Sequence, residues 1–139
     1  MAFTVTRDVL ATPERVWAAV SDISRHTAHV PLTTVVPDPL GDRLGAEHVA
    51  RTAIGPVGFD DSMLVTAWEP PQRMRIVKTG RLLAGWAEIT VAPRESGSRV
   101  TWTEELWLRG APRLTRRLAD AAGQRLFGSV LDGLLEDLA

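Results

Sequence analysis

Residues 98–135 read SRVTWTEELWLRGAPRLTRRLADAAGQRLFGSVLDGLL, and the change of period inside this stretch decides what the chain builds. The first part alternates. Val100, Trp102, Glu104, Leu106 and Leu108 share one face, and Thr101, Thr103, Glu105, Trp107 and Arg109 share the other, the period of a β-strand. Pro112 then suits a first helical turn, where its missing N–H would be unpaired anyway. Beyond it, Leu114, Leu118, Ala121, Ala122, Leu126, Phe127, Val130, Leu131, Leu134, Leu135 and Leu138 recur at helical spacing. Arg113, Arg116, Arg117, Asp120, Arg125 and Glu136 fall mostly elsewhere. The spacing predicts a helix well beyond the usual ~10–14 residues. Gly123, Gly128 and Gly133 lie within it, each costing about 1 kcal/mol against alanine. Close backbone packing or a deliberate gap is therefore expected at these glycines.

Working back from this strand and helix, residues 33–109 hold six short runs of β character. They are TTVVPD, AEHVARTAI, GFDDSMLVTAW, RMRIVKTG, GWAEITVAP and SRVTWTEELWLRG, separated by turn chemistry such as GPVG, EPPQ and RESG. Links this short favour antiparallel neighbours, because parallel pairing needs a long crossover. Residues 3–10 form one more alternating strand. ATPERVWAAVSDI follows, with Thr12 as N-cap, Pro13 in the first turn, and Val16, Trp17, Val20 and Ile23 at helical spacing. Asp22 or Ser24 would cap a second short helix, which Pro31 ends. The expected class is α+β, a single domain over residues 1–139. A curved antiparallel sheet of about seven strands would wrap a long C-terminal helix, with two short helices after strand one. One sheet and one long helix can bury their apolar faces only against each other, and a curved sheet gripping a helix leaves a wedge between them.

Composition narrows the chemistry. The chain is 139 residues with a formal charge of -1, so nothing points to nucleic acid or an acidic membrane as partner. It has no cysteine, which excludes disulfides, thiol nucleophiles and thiolate metal sites. No apolar run reaches the length of a membrane span. The opening MAFTVTRDVL lacks the pattern of a secretory signal, and the expected location is cytoplasmic.

ATPERVWAAVSDI after the first strand, VTAWEPPQRM at a β-turn, GSRVTWTEEL in the last strand and the long C-terminal helix together resemble the START-like helix-grip superfamily. More narrowly, they resemble its bacterial polyketide cyclase/dehydrase and lipid transport (SRPBCC) branch. The resemblance covers essentially the whole chain and implies a cavity between sheet and helix. It does not imply one activity, since the superfamily includes lipid carriers, aromatic polyketide cyclases and co-chaperones.

Glu104 is the candidate that the alternation singles out, because it shares its face with Val100, Trp102 and Leu106 while Glu105 looks outward. A β-bulge would exchange the two. A carboxylate sent into an apolar site must find a partner or shift its pKa upward. Lys78, on the same side of its strand as Met74 and Ile76, or Arg51, would be that partner. His26 and His29, three residues apart in RHTAH, would reach the cavity mouth. They make a poor metal pair without supporting ligands, and neither a metal nor another cofactor is expected. Trp102, Ile76, Ile89, Phe127 and Leu131 complete the expected ligand-binding set with Glu104, Lys78, Arg51 and His29. Asp60 and Asp61 fall on opposite faces, one expected to cap the GPVG turn and the other to be solvated. His48 has no evident companion on its strand. Aromatics lining a cavity suit flat, apolar ligands.

Three functions fit. The first is binding or transport of a hydrophobic, lipid- or polyketide-like molecule. The second is a polyketide cyclase or dehydratase using Glu104 as general acid/base. The third is a co-chaperone-like interaction module, whose apolar patch would be Trp107 with Val77 or Trp86. An outward Trp107 would also offer a homodimer surface. A single inward carboxylate with few companions favours binding.

Overall fold

A computed structural model describes residues 2–26 and 30–138. Strand β1 (Phe3–Val9) leads into helix α1 (Pro13–Val20) and the single-turn α2 (Ile23–His26). Six strands follow: β2 (Thr33–Val36), β3 (Glu47–Ile54), β4 (Val57–Glu69), β5 (Arg73–Lys78), β6 (Leu83–Arg94) and β7 (Gly97–Leu108). Helix α3 (Pro112–Leu135) closes the chain, continued by one 3-10 turn (Glu136–Leu138). All seven strands form one antiparallel sheet in the order β1-β7-β6-β5-β4-β3-β2. The helix-grip architecture expected from the sequence is the one observed.

Local chemistry explains the joints. Thr12 caps α1 by accepting from the Arg15 N–H, with Pro13 in the first turn. Asp22 Oδ1 accepts from both the N–H and the hydroxyl of Ser24 at the start of α2. In the tight β3–β4 hairpin Gly55 takes φ 58°, the left-handed backbone that two-residue hairpin turns require. Thr115 ties α3 to the strand before it, its hydroxyl accepting from the Leu108 N–H and donating to the Ala111 carbonyl. β7 runs in unbroken register against both β1 and β6, so no bulge exchanges Glu104 and Glu105.

The sheet's concave face and α3 enclose the core, but α3 does not bury its whole apolar stripe. Val130, Leu131, Leu134 and Leu135 are buried, whereas Leu114, Leu118 and Leu126 are exposed. The leucines of the N-terminal half therefore stay outside the core, a correction to the continuous stripe expected from sequence. Gly123 marks the point of closest approach, since a Cβ built there would lie 2.3 Å from the Phe3 ring. Any side chain at that position would overlap β1.

Candidate ligand-binding cavity

Strand alternation builds the site. Ala50 and Thr52 on β3, Phe59, Asp61 and Met63 on β4, Met74, Ile76 and Lys78 on β5, Ala87 and Ile89 on β6, and Trp102, Glu104 and Leu106 on β7 all point to one side. With Phe127 and Val130 of α3, Ile23 and His26 of α2, and Val30, Thr33, Val35 and Leu83, they line a cavity of about 190 Å³. Two alanines help keep it hollow, Ala50 on β3 and Ala87 on β6. An aromatic cluster forms part of the wall, with Trp102 5.2 Å from Phe127, Phe127 5.5 Å from Phe3, and the His26 ring 5.1 Å from Trp102.

Glu104 is 2% exposed and faces this apolar space. The Trp102 indole N–H donates to its Oε1 at 3.0 Å, and its Oε2 has no hydrogen-bond partner among the described residues. Burial pushes its pKa up to about 7. Lys78 and the indole bond oppose that shift, and the Asp61 charge adds to it. Asp61 and Lys78 form the second polar feature. Lys78 Nζ donates to Asp61 Oδ2 at 2.5 Å, both side chains nearly buried, and Asp61 Oδ1 is left without a hydrogen-bond partner among the described residues. His26 donates from Nε2 to the Val20 carbonyl at 2.7 Å, and burial holds its pKa below the ordinary imidazole value.

Of the nine residues singled out from sequence, Trp102, Glu104, Lys78, Ile76, Ile89 and Phe127 line the cavity. Leu131 is fully buried in the core without lining it. Arg51 lies outside, paired with Asp60 at 2.9 Å on the exposed face of β3 and β4, because its strand parity is opposite to that of Ala50 and Thr52. His29 lies outside the described residues. Asp61 was misassigned: it caps no turn and is not solvated, and it supplies the partner of Lys78. The signal was available, since Asp61 shares parity with Met63 and Val65, which are buried.

His48 also has companions, contrary to expectation. It is 1% exposed, its Nδ1 accepts the Asp38 N–H at 3.0 Å, and its Nε2 stands 3.1 Å from Asp42 Oδ1. It pins the loop between β2 and β3. At the expected interaction patch, Val77, Trp86 and Trp107 are partly exposed, with the Arg75 guanidinium 4.4 Å over the Trp86 ring and Arg116 4.2 Å over Trp107. Arg116 also pairs with the outward Glu105 at 3.0 Å. Among the described residues no cluster of His, Asp or Glu could hold a metal ion, and no helix is long and apolar enough to cross a membrane.

The model of the family described as polyketide cyclase / dehydrase and lipid transport matches residues 1–139. The chain belongs to this family. No curated protein sequence matches it. Among solved structures, the Zhui aromatase/cyclase from Streptomyces sp. R1128 superposes with a TM-score of 0.75 at 14% identity, covering 99% of this chain and 93% of that one. Ara h 8.0201 gives a TM-score of 0.70 at 11% identity, with 98% of each chain covered. The AHSA1-like protein from Aeromonas hydrophila gives 0.67 at 20% identity, covering 99% and 93%. At these identities the likeness shows the fold alone. Family and fold together support hydrophobic ligand binding in general.

Proposed function

We propose that this polyketide cyclase/dehydrase and lipid transport family member binds and carries a hydrophobic small molecule, lipid- or polyketide-like, between the sheet and α3. One observation carries this: strand alternation and α3 line an apolar space of about 190 Å³ that includes the buried Glu104 carboxyl, whose Oε2 has no hydrogen-bond partner among the described residues. Pockets of this make-up, apolar walls with few placed polar groups, suit small apolar ligands. Trp102, Ile76, Ile89, Phe127 and Met74 would contact the ligand body, and Glu104 its polar end.

A second reading, cyclisation or dehydration with Glu104 as general acid/base, is favoured by its carboxyl titrating at about 7 inside the cavity. It has less support. Lys78 is neutralised by Asp61 and His26 is held by the Val20 carbonyl, so among the described residues Glu104 lacks a free companion to stabilise developing charge.

Native mass spectrometry on protein freshly purified from its own cells, followed by denaturing extraction, tests the carrier reading. A co-purifying apolar molecule released on denaturation is the expected result. A clean apo mass, together with turnover of a poly-β-ketone mimic that Glu104→Gln abolishes, would favour the enzyme instead.

A further inference from the structure

The cavity holds two nearly buried carboxyl groups and one amine, and this charge arrangement selects among ligand head groups. Asp61 and Glu104 both line the apolar space, and Asp61 Oδ1 and Glu104 Oε2 are buried with no hydrogen-bond partner among the described residues. The other oxygen of each is taken, by Lys78 and by the Trp102 indole N–H. The free Asp61 oxygen is therefore an acceptor, and the free Glu104 oxygen is one whenever that carboxyl is ionised. Lys78, the one lysine or arginine among the described lining residues, is already paired with Asp61 at 2.5 Å. A buried acceptor without a donor is costly, so a ligand that donates there recovers a large share of that cost.

We infer that the cavity takes apolar molecules whose polar end is a neutral hydrogen-bond donor, an alcohol, phenol or enol, and rejects carboxylic acids. This rests on the cavity being the ligand site, and it narrows what that ligand is. An incoming carboxylate would bring acceptors to acceptors, place a third negative group beside Asp61 and Glu104, and find Lys78 occupied. A cationic amine would be drawn by the carboxyls, but it would have to leave water for a space lined by Met63, Ile76, Ile89 and Trp102. A hydroxyl meets the free oxygen of Glu104 or Asp61 without carrying a charge inside. Burial also holds Glu104 largely protonated below pH 7, when its carboxyl can itself donate. Above that pH it is acceptor only, and discrimination against acids widens.

Calorimetric titration of the full chain with four molecules sharing one ring system tests this: naphthol, naphthoic acid, (aminomethyl)naphthalene and unsubstituted naphthalene. Naphthol is expected to bind at least ~10-fold tighter than naphthoate, with the gap wider at pH 8 than at pH 6. Asp61→Asn releases Lys78, and naphthoate affinity should rise by about tenfold. Glu104→Gln adds a donor where an acceptor stood, and should shrink the naphthol preference even if Asp61→Asn fails to fold. Naphthoate binding as tightly as naphthol would overturn the donor-head inference while leaving the carrier reading intact. Tighter binding of the amine than of naphthol would overturn the neutrality of the head. Failure of all four, unsubstituted naphthalene included, would count against the cavity as a ligand site and so against both.

Discussion

Glu104 shows how far one residue's environment can be read from its neighbours. Alternation along β7 gives its direction without any structure, because Val100, Trp102 and Leu106 share its face. Its hydrogen-bond partner is local too, the Trp102 indole two positions back on that face. Lys78 was not assignable to Asp61 in the same way. That pairing depends on the β4–β5 register, which shifts between Val65 and Ala67 at a bulge that nothing in the residue types announces. The raised pKa of Glu104 has a measurable sign. A carboxyl that ionises near pH 7 folded and near 4.5 unfolded binds more protons when folded, so the stability it contributes is present at low pH and is lost as pH rises through about 7. The loss is on the order of 3 kcal/mol at full deprotonation. Urea unfolding at pH 5 and pH 8 should show wild type weakening across this range and Glu104→Gln nearly flat; equal slopes would place the titration elsewhere. Lys78→Met should cost about 3–5 kcal/mol by stranding the Asp61 charge. Lys78→Met combined with Asp61→Leu should recover most of that loss in the same assay.

At the level of elements, strands β2 to β7 together with α2 and α3 line the cavity. The seven strands and the long helix were legible because their periods differ and the turns between strands are short. Which half of α3 is buried was not legible. An apolar stripe from Leu114 to Leu138 has the same pattern whether or not the sheet covers it, and only the leucines of the C-terminal part are buried, Leu114, Leu118 and Leu126 staying exposed. Gly123 fixes where α3 crosses β1. Gly123→Ala gains helix propensity of about 1 kcal/mol, but its Cβ would overlap the Phe3 ring, and overpacking typically costs ~1–3 kcal/mol. Net destabilisation in a urea titration is expected, and Phe3→Leu should partly relieve it. Ala87, directly opposite Glu104 on β6, tests the hollow itself. Ala87→Leu extends a side chain into the cavity. Apolar ligand affinity should fall at least ~10-fold while the unfolding midpoint holds or rises, since filling a void commonly adds ~0.5–2 kcal/mol.

Across the whole molecule, one sheet and one helix share a core and enclose a cavity that α3 lines with Phe127 and Val130. That division of labour is what a helix-grip chain offers for ligand binding, and it is why the family's fold serves proteins as different as an aromatase/cyclase and an AHSA1-like protein. The ligand itself was beyond the sequence, because it depends on which polar atoms are left unpaired once Lys78, Asp61, Trp102 and Glu104 have found each other. Methyl-resolved NMR during a titration with naphthol tests the internal site most directly. Shifts confined to Ile23, Val35, Ile76, Ile89 and Val130, with Val16 and Val20 unmoved, are the predicted result. Shifts concentrated instead on exposed Leu114, Leu118 and Ile54 would mean the ligand rests on the surface, and the cavity would lose its claim to be the binding site.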